Sequence, residues 1–112
     1  KDAALITLEI QKIAFEYGLT LKDCSAYNVQ FFNGKPIFID TLSFDFYDEG
    51  TPWRAYKQFI THFLGPLVLA RYHGNEVFNM LQAYIDGIPV KMISSMLPPK
   101  TKLSSVLYPN IH

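Results

Sequence analysis

Three oxygen-bearing side chains stand where short-range geometry brings them together: Asp23, Asn28 five residues on, and Asp40 at the end of an apolar strand-turn-strand. Phosphoryl transfer asks for one carboxylate beside an attacking hydroxyl and for hard oxygen ligands around Mg²⁺. Asp23 is the candidate catalytic residue, set to orient that hydroxyl or accept its proton. Asn28 and Asp40 are the candidate metal ligands. Mg²⁺ keeps several of its waters, so two protein oxygens suffice. The meeting of Asn28 and Asp40 rests on Asn33-Gly34, a strong two-residue hairpin signal because both residue types tolerate positive φ. With the turn there, residues 29–32 pair with residues 36–39, and the amide and the acid fall on opposite strands at the open end.

Other elements must hold that hairpin, because two short strands are marginal alone. Residues 2–17 read as a helix, with Leu5, Ile6, Ile10, Ile13 and Tyr17 at three- and four-residue spacings and Leu8 and Phe15 widening the face. Gly18 follows as a stop. Residues 19–28 read as a loop entering a strand, and residues 41–50 as irregular and aromatic-rich. Thr51-Pro52 has the form of a helix start, leading to Trp53, Tyr56, Phe59, Ile60, Phe63 and Leu64. Pro66 removes a backbone donor and predicts a kink or break near Gly65. A third helical stripe, Val77, Phe78, Leu81, Tyr84 and Ile85, is closed by Gly87. A short helix from Pro89 carries Val90, Ile93, Met96 and Leu97 and stops at Pro98-Pro99. Residues 100–112 show no period and read as an irregular tail. The expected fold is α+β, mainly helical, with one β-hairpin between the first and second helices.

Composition narrows the classes. Ten basic residues balance ten acidic ones, which gives no electrostatic reason to expect nucleic acid or an anionic membrane as partner. No apolar run is long enough to span a bilayer; the greasiest stretch, residues 59–72, contains His62, Pro66 and Arg71. One cysteine, Cys24, precludes an internal disulfide and fits a reducing cytoplasm. The chain opens directly into a helix pattern, with neither a signal-peptide layout nor an initiating Met. This reads as a single partial domain, residues 1–112, of a larger cytoplasmic protein.

The pattern Asp23, Asn28 and Ile37-Phe38-Ile39-Asp40, within about residues 2–85, resembles the C-lobe of protein-kinase-like and aminoglycoside-phosphotransferase-like enzymes. Three positions depart from that pattern. Leu21 stands where the family usually has His, and Thr41-Leu42 replaces the Phe-Gly that follows the metal-binding Asp in kinases. The Gly-rich phosphate loop and strand Lys of that superfamily lie in an upstream lobe and do not occur here. The resemblance implies Mg²⁺ and ATP as ligands of the kinase-like site in the parent protein. A second resemblance rests on Leu21-Lys22-Asp23-x-Ser25-Ala26-Tyr27-Asn28, Phe38-Ile39-Asp40-Thr41-Leu42-Ser43-Phe44, Trp53-x-Ala55-Tyr56-x-Gln58-Phe59 and His62-Phe63-Leu64-x-Pro66-Leu67. These words are similar to a segment of large bacterial class I SAM-dependent methyltransferase-family proteins related to nodulation protein NoeA. That resemblance implies a transferase parent, with SAM bound in another part of it. No Gly-rich Asp/Glu-x-Gly-x-Gly turn occurs in this chain.

Plain readings stand beside these. Asp23 is an ordinary turn-former, Asp40 suits the backbone amides of Thr41-Leu42-Ser43, and Asn28 suits a brace across the loop. Cys24 has only Lys22 near it in sequence as a basic partner, and Ser25 lacks the surround of a hydrolase nucleophile. His62, His73 and His112 show no zinc spacing. Phe44, Phe46, Tyr47, Trp53, Tyr56 and Phe59 read as core or as docking surface. The expectation is a kinase-like loop, inactive in isolation. Its partners would be the remaining domains of the parent, or a second copy joined through exposed apolar surface. The alternatives are a non-catalytic scaffold or interaction module of that parent, and a small helical domain whose loop resemblance is fortuitous.

Overall fold

The computed structural model describes all residues, 1–112. More than half of them are helical, with two small antiparallel sheets. The chain divides into two compact units, Lys1–Phe59 and Ile60–His112.

In the first unit, α1 (Asp2–Glu16) is followed by Tyr17 and by Gly18 at φ +70°, a turn that sends the chain into β1 (Leu19–Leu21). The face that α1 buries differs from the one its apolar spacing predicts. Ala4, Thr7, Gln11 and Ala14 are buried, whereas Leu5, Leu8, Ile13, Phe15 and Tyr17 are exposed. The reason lies in hydrogen bonding. Gln11 Nε2 donates to Thr20 Oγ1 at 3.0 Å, and Gln11 Oε1 accepts from the Leu21 amide at 2.7 Å. A buried amide side chain with both ends satisfied fixes the rotation of the helix against the strand, and small residues allow the close approach.

The hairpin forms as the sequence predicts. β2 (Val29–Phe32) pairs antiparallel with β3 (Lys35–Phe38) in the register Val29 with Phe38 and Phe32 with Lys35. Asn33 and Gly34 take φ +50° and +75° between them. A second two-stranded sheet, absent from the sequence reading, joins β1 to β4 (Phe44–Phe46), Leu21 opposite Phe44. These strands lie more than twenty residues apart and have three residues each, too short to show a period. Their pairing makes residues 41–50 far less irregular than composition implies. Tyr47 extends the ladder by donating its amide to Gly18 O at 2.9 Å, and its ring packs on Phe15, centroids 4.7 Å apart.

The predicted helix start at Thr51-Pro52 moves. Thr51 instead closes a turn on Asp48 O, and α2 begins only at Tyr56, running to Phe59. Trp53 is drawn out of the helix because its indole Nε1 donates to Leu21 O at 2.8 Å.

The second unit opens with a π-helical turn, Ile60–Leu64, leading to α3 (Gly65–His73) with Pro66 in its first turn. The expected break near Gly65 is therefore absorbed by a widened turn, which tolerates the missing Pro66 donor. A 3₁₀ turn, Asn75–Asn79, leads to α4 (Met80–Ala83), which ends before the predicted Ile85. Pro89 introduces α5 (Val90–Met96) as anticipated. Residues 100–112 carry structure their lack of period conceals: a 3₁₀ turn over Pro99–Leu103, then α6 (Leu107–Ile111). Ile60, Phe63, Leu69, Val77, Ile88, Ile93, Leu97 and Ile111 form the apolar interior of this unit. His62 is buried with them, a packed histidine. No helix is long and apolar enough to cross a membrane.

Candidate functional site

All three predicted site residues lie in the first unit, and one serine ties their segments together. Ser43 is buried and closes the 3₁₀ turn Thr41–Ser43 after Asp40. Its carbonyl accepts from the Lys22 amide at 2.8 Å, which fixes the entry to Asp23. Its Oγ accepts from Asn28 Nδ2 at 3.2 Å. Asp40 is two residues beyond the β3 end and caps the turn, its Oδ1 accepting from the Leu42 amide at 2.9 Å.

The Ile39 amide donates to Asn28 O at 2.9 Å, extending the β2–β3 ladder to the residue before Asp40. With Nδ2 committed to Ser43, the carbonyl Oδ1 is the side-chain acceptor left on Asn28. The Asn28 and Asp40 side chains are half-buried. A carbonyl and a carboxylate are hard donors of the kind Mg²⁺ selects. No cluster of three or more His, Cys, Asp or Glu side chains is arranged to hold a metal.

Asp23 is held from another direction. Its Oδ1 accepts from the Ser25 amide at 3.1 Å, an Asx turn, and from Gln58 Nε2 at 2.7 Å. Gln58 also accepts from the Cys24 amide through Oε1 at 2.8 Å. One α2 side chain thus clamps two consecutive loop residues from both ends of its amide. Ser25 adds a further turn, its Oγ accepting from the Tyr27 amide at 3.2 Å, and Ala26–Asn28 forms a single 3₁₀ turn. The aspartate is half-buried and has its orientation set before any ligand is present.

Ser43, Gln58 and Trp53 are the positioning residues that the sequence reading did not single out for a role. The available signal was a polar Gln58 set among Tyr56, Phe59 and Ile60. Such a residue needs a partner when its neighbours are core.

Cys24 is no nucleophile. It is fully buried, and Sγ donates to Ala55 O at 3.1 Å. Burial first, and then the Asp23 carboxylate, push the thiol up from 9.0 to about 12. The folded thiol therefore holds its proton while the unfolded one loses it above pH 9.0. The contribution to stability is complete below that pH and is lost as pH rises toward about 12. We expect Cys24 to be inert to Ellman's reagent in the native chain near pH 8 and reactive after denaturation, with melting temperature falling on the alkaline side. Rapid native labelling would contradict the placement.

Comparison with known proteins gives one clear relative. The chain is 37% identical over 99 residues to nodulation protein NoeA of Rhizobium meliloti (strain 1021), a match covering 85% of this chain and 21% of NoeA. The chain thus spans about a fifth of the length of the curated relative it matches. Neither a protein-family model nor a solved structure matches it.

Proposed function

We propose that this chain carries a kinase-type phosphotransfer loop of a larger NoeA-related polypeptide, the loop being residues 19–47. The observation that carries this is the Ser43 junction. It joins the backbone before Asp23, the side chain of Asn28 and the turn capped by Asp40. In this reading Asn28 and Asp40 hold Mg²⁺, which supplies charge neutralisation on a phosphate. Asp23, oriented by Gln58, positions an acceptor hydroxyl. The phosphate-binding lobe, and any SAM site implied by the methyltransferase resemblance, belong to other parts of the polypeptide. The 112-residue chain alone is then inactive.

The test uses the longer polypeptide. Mg²⁺ with a nucleotide analogue raises its melting temperature, and Asp40→Ala removes that rise, because ligand binding to the native state stabilises by mass action. No rise in the intact protein would remove the catalytic reading.

A second reading has its own observation. The first unit exposes Leu5, Leu8, Ile13, Phe31, Phe32, Ile37 and Ile39, and an apolar recess of about 200 Å³ opens between α1 and Phe44. An apolar recess with exposed apolar residues on the same unit is the kind of surface a docking face uses. A scaffold or interaction module would keep the Ser43 junction as a brace, and Mg²⁺ with nucleotide would leave its melting temperature unchanged.

A further inference from the structure

The second unit holds a polar relay that the phosphotransfer reading does not use. Thr101 Oγ1 is buried and donates its one proton to Pro98 O at 2.7 Å. The same oxygen lies 2.8 Å from His112 Nε2, so it accepts there and Nε2 carries the proton. In the neutral imidazole that leaves Nδ1 as the acceptor, and Ser94 Oγ sits 2.7 Å from it. The Ser94 hydroxyl therefore donates to a histidine whose tautomer is fixed from behind by Thr101. A nucleophile, a base and a group that orients the base is the general form of an activated hydroxyl.

The surroundings suit a substrate. Ser94 and His112 line a cleft of about 540 Å³ together with Lys91 and Lys102. Two lysine ammonium groups along the cleft favour a negatively charged molecule. Ser95 provides a comparison within the same helix. Ser95 lines the same cleft, but its Oγ donates to Met92 O at 2.8 Å, the ordinary fate of a helical serine, whereas Ser94 Oγ meets the imidazole.

We infer that Ser94 is a base-activated nucleophile that accepts an acyl group from an anionic ester. Ser94 Oγ attacks the carbonyl carbon, and its proton passes to His112 Nδ1. The new Oγ–C bond replaces the C–O bond to the leaving alcohol, which takes the proton from His112. The products are acyl-Ser94 and the free alcohol, with no oxidant or reductant required.

The test treats the 112-residue chain with a fluorophosphonate, which forms an Oγ–P bond with loss of fluoride, and maps the modified serines by mass spectrometry. Ser94 is expected to label at least tenfold faster than Ser95. His112→Ala should bring Ser94 down to the Ser95 rate, and succinate monoesters should slow labelling more than neutral acetate esters do. Equal labelling of the two serines in the unmodified chain would overturn the proposal, even if His112→Ala fails to fold. So would Ser94 labelling that is unchanged in a folded His112→Ala chain.

Discussion

Gln58→Ala is expected to destabilise the first unit by about 3 kcal/mol, because a hydrogen bond to a carboxylate and one to a buried amide are lost together. The Asp23 carboxylate loses its 2.7 Å contact with Nε2, and the Cys24 amide loses its 2.8 Å contact with Oε1. Cys24 is fully buried, so water does not replace the second partner without opening the loop. For a domain near this size, that loss lowers the melting temperature by roughly 10 °C or more. Gln58→Glu makes the cause visible. It keeps an acceptor for the Cys24 amide but sets a second carboxylate against Asp23. This variant should be weakest at neutral pH and recover as acid protonates one of the pair. Thermal melts of the two variants at neutral and acid pH check this. A loss below about 0.5 kcal/mol for Gln58→Ala, the range of an ordinary surface change, would show that the clamp does not hold the loop.

The second large effect is expected at Gly87. Its φ of +94° is a region L side chains rarely adopt, and an added Cβ would meet Thr61 Oγ1 and Cβ, with His62 Cδ2 at 3.0 Å. Thr61 cannot easily yield, because its carbonyl accepts from the Ile88 amide at 3.0 Å. Backbone strain of about 1–2 kcal/mol and overpacking of about 1–3 kcal/mol combine, so Gly87→Ala should cost about 2–5 kcal/mol. Gly50 provides the control. It has φ +86° but nothing within 4 Å of an added Cβ. Gly50→Ala should therefore cost only the backbone part, about 1–2 kcal/mol. Chemical denaturation of both variants separates the two terms. Equal losses would mean that Thr61 gives way.

The hairpin was legible in the sequence because everything it needs is local. Asn33-Gly34 sets the turn and the register, and with it the bond from the Ile39 amide to Asn28 O at the open end. Helix α1 was legible from its apolar spacing and the Gly18 stop, and α5 from Pro89 at its start and Pro98-Pro99 at its end. What stayed hidden was held by long-range hydrogen bonds with no periodic trace. The β1–β4 pairing joins three-residue strands. The buried face of α1 is chosen by Gln11 rather than by leucines and isoleucines. The Trp53 indole reaches Leu21 and delays the start of α2. At the candidate site, the residue types at 23, 28 and 40 announced themselves, while Ser43 and Gln58 did not. Serine and glutamine are common in every setting, and only the partners they find make them positioning groups.

In the proposed function, Asn28 and Asp40 form a cation site beside the Ser43 junction. Manganese substitutes for magnesium at hard-oxygen sites and broadens the NMR signals of nearby nuclei. On titration of the 112-residue chain with Mn²⁺, the amides of Asn28, Ile39, Asp40 and Ser43 should broaden first, and Asp40→Ala should abolish the effect. Broadening centred on the exposed carboxylates of Asp48 and Glu49, with these four amides untouched, would contradict it.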